Sequence, residues 1–147
     1  MKATRLNTLT RNIFLGVFTI LIIFSFVSCA RNFNFMTSSV VPAARGNVKV
    51  SEDKNKNYVI LVQIQNLAEV ERLQQSKKTY IVWMVTDQEI TKNIGQLNSS
   101  TSLFSKQLKA TLKTVSSFKP IKIFVTAEDD ASIQYPGSQV VLSTDRF

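Results

Sequence analysis

Thr79–Thr86 reads TYIVWMVT, eight residues without a charge and, between the two threonines, nothing but aliphatic or aromatic side chains. A run this short and this rich in β-branched and aromatic residues is a strand buried on both faces, and it predicts the central strand of a sheet. Upstream, Tyr58–Gln65 (YVILVQIQ) places Tyr58, Ile60, Val62 and Ile64 on one face. Val48, Lys49 and Val50 alternate just before it, and residues 52–57 (EDKNKN) between them read as a charged turn, so the pair is expected to form a β-hairpin. Downstream, Pro120 precedes residues 121–127 (IKIFVTA), with Ile121, Ile123 and Val125 on one face, and residues 139–143 (QVVLS) give the last strand. About seven short strands at near-regular spacing predict an all-β fold, a single immunoglobulin-like β-sandwich.

Three stretches between these strands read less plainly. Residues 67–78 (LAEVERLQQSKK) carry Leu67, Val70 and Leu73 at roughly helical spacing over too short a length, which predicts a connection with one helical turn. Residues 98–102 (NSSTS), between Gly95-Gln96-Leu97 and residues 103–109, suit a hairpin loop. In residues 105–117, Lys106, Lys109 and Lys113, and likewise Leu108, Leu112 and Val115, fall at helical offsets, whereas Ser, Thr and Val make residues 111–117 a poor helix former. The expectation is a strand to about Lys109, followed by a turn or short helix.

The chain has 147 residues with 18 Lys and Arg, 10 Asp and Glu, one Cys and no His. Without His there is no Ser-His or Cys-His nucleophile pair and no imidazole acid or base near neutral pH. A single Cys excludes an intrachain disulfide. The length suits one domain.

The first 28 residues read as a targeting segment. Lys2, Arg5 and Arg11 precede an uncharged apolar run at 13–27 (IFLGVFTILIIFSFV), which ends at Ser28-Cys29. As a helix, that run reaches roughly 24 Å, short of a hydrocarbon core of about 30 Å, so a signal h-region fits better than a permanent span. Phe26-Val27-Ser28-Cys29 resembles a bacterial lipobox, with Phe26 where Leu is usual. The resemblance implies cleavage before Cys29 and its acylation, palmitate included; the alternative is an uncleaved signal anchor with an incidental Cys. Ala30-Arg31-Asn32 has no Asp after the Cys, which by analogy with sorting rules implies the outer membrane with the domain facing the periplasm. Cleavage removes Lys2, Arg5 and Arg11 and lowers the net charge from +8 to +5. An exported chain has a membrane and envelope proteins as expected partners, and nucleic acid is not among them. The resulting division is a signal peptide at 1–28, a lipidated Cys29 and tether over 29–39, and the sandwich over 40–147. Phe33, Phe35 and Met36 make that tether apolar enough to pack on the domain or lie at the membrane surface.

Four segments, Thr79-Tyr80-Ile81-Val82-Trp83-Met84-Val85, Ile94-Gly95-Gln96-Leu97, Ile123-Phe124-Val125-Thr126-Ala127-Glu128, and Tyr135-Pro136-Gly137 followed by Val140-Val141-Leu142, occur in one order. In that order they resemble the extracytoplasmic domain of anti-sigma-K factors. The resemblance spans residues 78–144 and implies a periplasmic β-sandwich of the sensor or binding kind. The helical sigma-binding domain of that family is absent from this sequence, so inhibition of a sigma factor is not carried over. An accessory sensor beside an extracytoplasmic anti-sigma system is what the likeness leaves.

Candidate chemistry is sparse. Glu128, Asp129 and Asp130 offer three carboxylates beside Ser132 and Gln134, as an oxygen-liganded Ca²⁺ would need, without the spacing of an EF-hand. Acidic residues are equally common turn formers. The same acids could serve a hydrolase only if they met Asp87 or Glu89 in one cleft. Trp83 and Tyr80 could stack on a sugar, although within so apolar a strand they read as core. Tyr135, Pro136 and Gly137 put an aromatic beside a Pro-Gly loop, a candidate contact surface or a tight turn capping the sandwich. Asn98-Ser99-Ser100 is formally a glycosylation sequon, of little weight in an exported bacterial chain. The sequence thus predicts a non-catalytic, lipid-anchored binding or structural module without a cofactor.

Overall fold

The computed structural model describes residues 30–101 and 108–147. Nine strands, all paired antiparallel, are present among them. They are β1 (Arg31–Asn34), β2 (Arg45–Glu52), β3 (Tyr58–Gln65), β4 (Thr79–Thr86), β5 (Thr91–Gln96), β6 (Asn98–Thr101), β7 (Leu108–Ser116), β8 (Pro120–Glu128) and β9 (Val140–Ser143). One sheet has the order β1-β2-β3-β7-β6 and the other β5-β4-β8-β9. Leaving β1 aside, these are the A-B-E-D and C′-C-F-G sheets of an immunoglobulin-like sandwich. The extra strands relative to the expected seven are β1 and β6.

Each sheet turns alternate side chains inward. Val48 and Val50 of β2, Ile60, Val62 and Ile64 of β3, and Ala110 of β7 meet Tyr80, Val82 and Met84 of β4 and Ile123, Val125 and Ala127 of β8 in one core. Burying each of the larger aliphatic side chains contributes about 1.5–3 kcal/mol. The β2–β3 hairpin forms as expected, with Val48 opposite Val62 and Val50 opposite Ile60. In its turn the Asp53 carboxylate accepts the N–H groups of Asn55 and Asn57, both at 2.8 Å. Those bonds hold the carboxyl below its usual range. Residues 67–78 form a connection with a single 3₁₀ turn at Val70–Arg72.

Three sequence expectations are corrected. The domain begins before Val40: β1 pairs with β2, with Arg31 opposite Val50 and Asn34 opposite Asn47. Phe33 stacks on Phe147 with ring centroids 3.6 Å apart. Phe35 is buried and bridges Thr144. Most of residues 29–39 is therefore structure and not tether, because Phe33 and Phe35 are part of the packing, while Met36 stays exposed. Second, residues 98–101, read as a loop, are β6. Leu97, whose N–H donates to the Tyr80 carbonyl at 3.0 Å, is the point where the chain leaves one sheet and enters the other. Third, β7 runs unbroken to Ser116, pairing with β3 along its length. Ladder bonds to β3 and the β-branched Thr111, Thr114 and Val115 outweigh the helical spacing of the lysines.

The two sheets are laced at both sides. On one side β5 continues into β6 through Leu97; on the other Phe35 donates to the Gly46 carbonyl of the first sheet (3.0 Å) and Met36 to the Ser143 carbonyl of the second (2.9 Å). Ser38, buried, continues this lacing by donating its hydroxyl to the Val141 carbonyl. These contacts cover the outer edge of β9, which would otherwise offer unpaired backbone groups to another chain.

Candidate functional site

β4 is buried on both faces, as its composition predicts. Its inward residues join the core, while Ile81 and Trp83 point to the opposite side of the sheet and are also fully buried. Trp83 stacks with Phe124 at 6.3 Å and donates its indole N–H to the Thr126 hydroxyl at 2.7 Å. Tyr80 lies in the core with its hydroxyl donating to the Ala68 carbonyl at 3.0 Å. Burial, with Glu71 nearby, pushes that phenol up to about 12. Both aromatics are thus structural; neither presents a ring to a sugar.

The segment joining β8 to β9, residues 129–139, is tied down over the outer side of this sheet. Glu128, buried at the end of β8, accepts the N–H of Gly137 on its carboxylate at 2.8 Å. Asn93, the β5 partner of Trp83, donates to the carbonyls of Ala131 and Ile133, both at 3.0 Å. Asn93 can reach them because β5 is bulged where Val82 and Trp83 pair with it, with Gly95 at φ +133°. Only glycine adopts that backbone at little cost. At the apex of the strapped loop Tyr135 is 83 % exposed, the most exposed of the large hydrophobic side chains described. Pro136 is half-buried beside it. Gly137 sits where a Cβ would come within 2.7 Å of the Glu128 carboxylate. Tyr135, Pro136 and Gly137 therefore put an exposed aromatic on a loop tied to the sheet on both sides of it, at Ala131 and Ile133 and at Gly137.

The three consecutive acids are not brought together. Glu128 turns inward to Gly137. Asp129 pairs with Lys77 at 2.7 Å. Asp130 accepts both the N–H and the hydroxyl of Ser132, at 2.8 and 2.9 Å, and these bonds hold its carboxyl below the usual range. Each has a local partner, and no group of three possible metal-ligating His, Cys, Asp or Glu side chains occurs among the described residues. Asp87 and Glu89 lie beyond the other end of β4. Thr79 pairs with Glu128 and Thr86 with Pro120, so seven residues of strand, about 23 Å, separate the two groups of acids. The paired carboxylates of a hydrolase are thus not assembled from these residues.

A cleft of about 140 Å³ opens where Leu67, Val70 and Glu71 of the connection meet Tyr80 and Leu97. It is small against the roughly 300–1,000 Å³ of typical small-molecule sites. Cys29 lies outside the described residues. Among the described residues no helix is long and apolar enough to cross a membrane. No family model, no curated protein and no solved structure matches the chain.

Proposed function

We propose that the chain is an exported lipoprotein of the bacterial envelope, held by acylated Cys29 in the outer membrane and facing the periplasm, that acts by binding or structural association and not by catalysis. The observation that carries this reading is the junction at Cys29. A charged n-region and an apolar run end at Ser28-Cys29, and the first strand of the sandwich begins two residues later at Arg31. A leader directly followed by a folded unit is the arrangement of a protein delivered to a membrane surface. Several acyl chains, at about 0.8 kcal/mol per buried CH₂, would make the attachment lasting.

The surface offered to a partner is the Tyr135 loop. An exposed aromatic on a loop fixed by Glu128 and Asn93 loses little conformational entropy when it is covered, the condition for an anchor residue. A second reading, accessory sensing beside an anti-sigma system, draws on one feature. The segments that resemble the anti-sigma-K extracytoplasmic domain fall on β4, β5, β8, the Tyr135 loop and β9, one whole sheet with its covering loop.

The test is metabolic labelling with a palmitate analogue in parent and Cys29→Ala cells. Labelled, processed parent protein and an unlabelled, precursor-sized variant support the proposal. Equal size and no label in either would overturn it.

A further inference from the structure

The outer face of the five-stranded sheet is charged with one sign. The residues of β1, β2, β3 and β7 that alternate with the core positions point away from it, and among them Arg45, Lys49, Lys109 and Lys113 are exposed cations while none is acidic. The register sets them as a rectangle. Lys49 and Lys113 flank Leu61 from either side, and Arg45 and Lys109 flank Gln65 in the same way. With strands about 4.8 Å apart and about 3.3 Å per residue, the four charges span roughly 10 by 13 Å. Arg45 is held by hydrogen bonds to the Pro42 and Ala44 carbonyls, at 2.6 and 2.7 Å. None of the four appears in an ion pair among the described residues, whose salt bridges are Arg72 with Glu69, Lys77 with Asp129 and Arg146 with Glu89. The rest of the face is amide, hydroxyl and aliphatic, including Val115 at 57 % exposure.

The position of the chain's entry gives this face a partner. β1 is the edge strand of the same sheet, and only Ala30 separates Arg31 from Cys29. Two residues of chain span at most about 7 Å. An acyl group on Cys29 would thus hold the sheet edge against the bilayer, where a tether through residue 39 would have let it stand about 35 Å away. Standing on one end and lying on the sheet face are both compatible with so short a leash. Standing on the end where the chain enters would press a surface of mixed charge toward the lipid, with Glu52, Asp53, Asp87 and Glu89 set among Lys54, Lys56, Lys119 and the Arg146 that pairs with Glu89. Lying on the sheet face presents Arg45, Lys49, Lys109 and Lys113 instead.

We propose that the outer face of the five-stranded sheet lies on the anionic headgroups of the membrane that carries the lipid anchor. This rests on the lipoprotein reading and adds an orientation to it. The lysines neutralise headgroup charge, Val115 and Leu61 meet the interface, and the Tyr135 loop, on the outer side of the opposite sheet, is turned away from the bilayer toward the periplasm.

The test uses the mature protein extracted from its membrane, with acylation checked by intact mass, in vesicles of phosphatidylglycerol and phosphatidylcholine carrying a headgroup-level nitroxide quencher. Because Cys29 would be blocked, an introduced cysteine is the one reactive thiol. An environment-sensitive fluorophore is placed at Thr111→Cys on the basic face or at Tyr135→Cys on the loop. The expected result is several-fold stronger quenching at position 111 than at 135. That contrast should be lost in about 1 M salt, where the Debye length falls to about 3 Å, and in a Lys49→Glu/Lys109→Glu/Lys113→Glu form shown by circular dichroism to be folded. Equal quenching at both positions, or stronger quenching at 135, overturns the orientation. A contrast that persists in vesicles of phosphatidylcholine alone overturns the role of charge. Protection of position 111 by a soluble anionic polymer but not by vesicles reassigns the face to that polymer and also overturns the proposal. An unacylated mass overturns the anchor itself, which is a separate failure.

Discussion

Replacing Gly137 by Ala tests whether the Tyr135 loop is strapped to the sheet by Glu128. The new methyl would lie 2.7 Å from Oε2 and 3.1 Å from Oε1 of the carboxylate that accepts the Gly137 N–H at 2.8 Å. The carboxylate, at the far end of a flexible side chain, must shift, and the shift distorts its bond to the Gly137 N–H. A bond to a carboxylate acceptor contributes about 1.5–3 kcal/mol, and this one joins buried Glu128 to the exposed Gly137. The Gly137→Ala form should therefore unfold about 1.5–3 kcal/mol more easily in urea. In a Glu128→Ala background the obstruction is gone and the same change should cost about 0.5 kcal/mol or less. The coupling between the two sites, taken from the double-mutant cycle, then carries most of the effect. A cost under about 0.5 kcal/mol in the parent, or the same cost in both backgrounds, would refute the strap and with it the rigid presentation of Tyr135.

Three further outcomes follow from the same geometry. Thr126→Val removes the acceptor of the buried Trp83 indole N–H while keeping the side chain's shape, so it should cost about 1–3 kcal/mol, read by the emission shift of the single tryptophan on unfolding; an unchanged urea midpoint would contradict the hydrogen bond. Asp53 and Asp130 are both held below their ordinary value of 3.8, so the stability that they add is complete above that value and is lost as the pH falls through their lowered folded-state values; Asp53→Asn, which keeps the acceptor oxygen without titrating, should unfold less steeply below about pH 4, and an acid limb identical to the parent's would count against the turn geometry. Tyr135→Ala should leave the thermal midpoint within the roughly 0.5 kcal/mol of an ordinary surface change, while abolishing any crosslinked partner captured through that loop; a large destabilisation would make Tyr135 a structural cap.

How much of this was legible beforehand varied with how local the deciding forces are. Thr79–Thr86 announced itself because a strand covered on both faces leaves no polar position, and its bounds match the structure's. The β2–β3 hairpin was equally plain, since alternation and a charged turn are both short-range. β1, β6 and the second half of β7 were missed for the opposite reason. Each is a strand because of what lies beside it: Phe33 stacks on Phe147, residues far apart in sequence, and Thr111 pairs with Gln63 and Asn98 across two neighbours. Of the site, the Tyr-Pro-Gly sequence left an exposed Tyr135 and a Tyr135 capping the sandwich both open, and the structure exposes it. The inward turn of Glu128 was not readable, because Glu128-Asp129-Asp130 looks uniformly solvent-facing and only the closeness of Gly137 selects one of the three for burial. The basic sheet face escaped notice because its cations come from β2 and β7, whose adjacency to β3 is a matter of topology.

The most direct test of the account is the intact mass of the protein extracted from cell membranes with detergent. Loss of residues 1–28 together with added diacylglyceryl and acyl mass on a peptide beginning at Cys29 is the predicted result. An unmodified chain that keeps its leader, or one cleaved elsewhere with Cys29 free, would contradict the anchor on which both the function and the orientation rest.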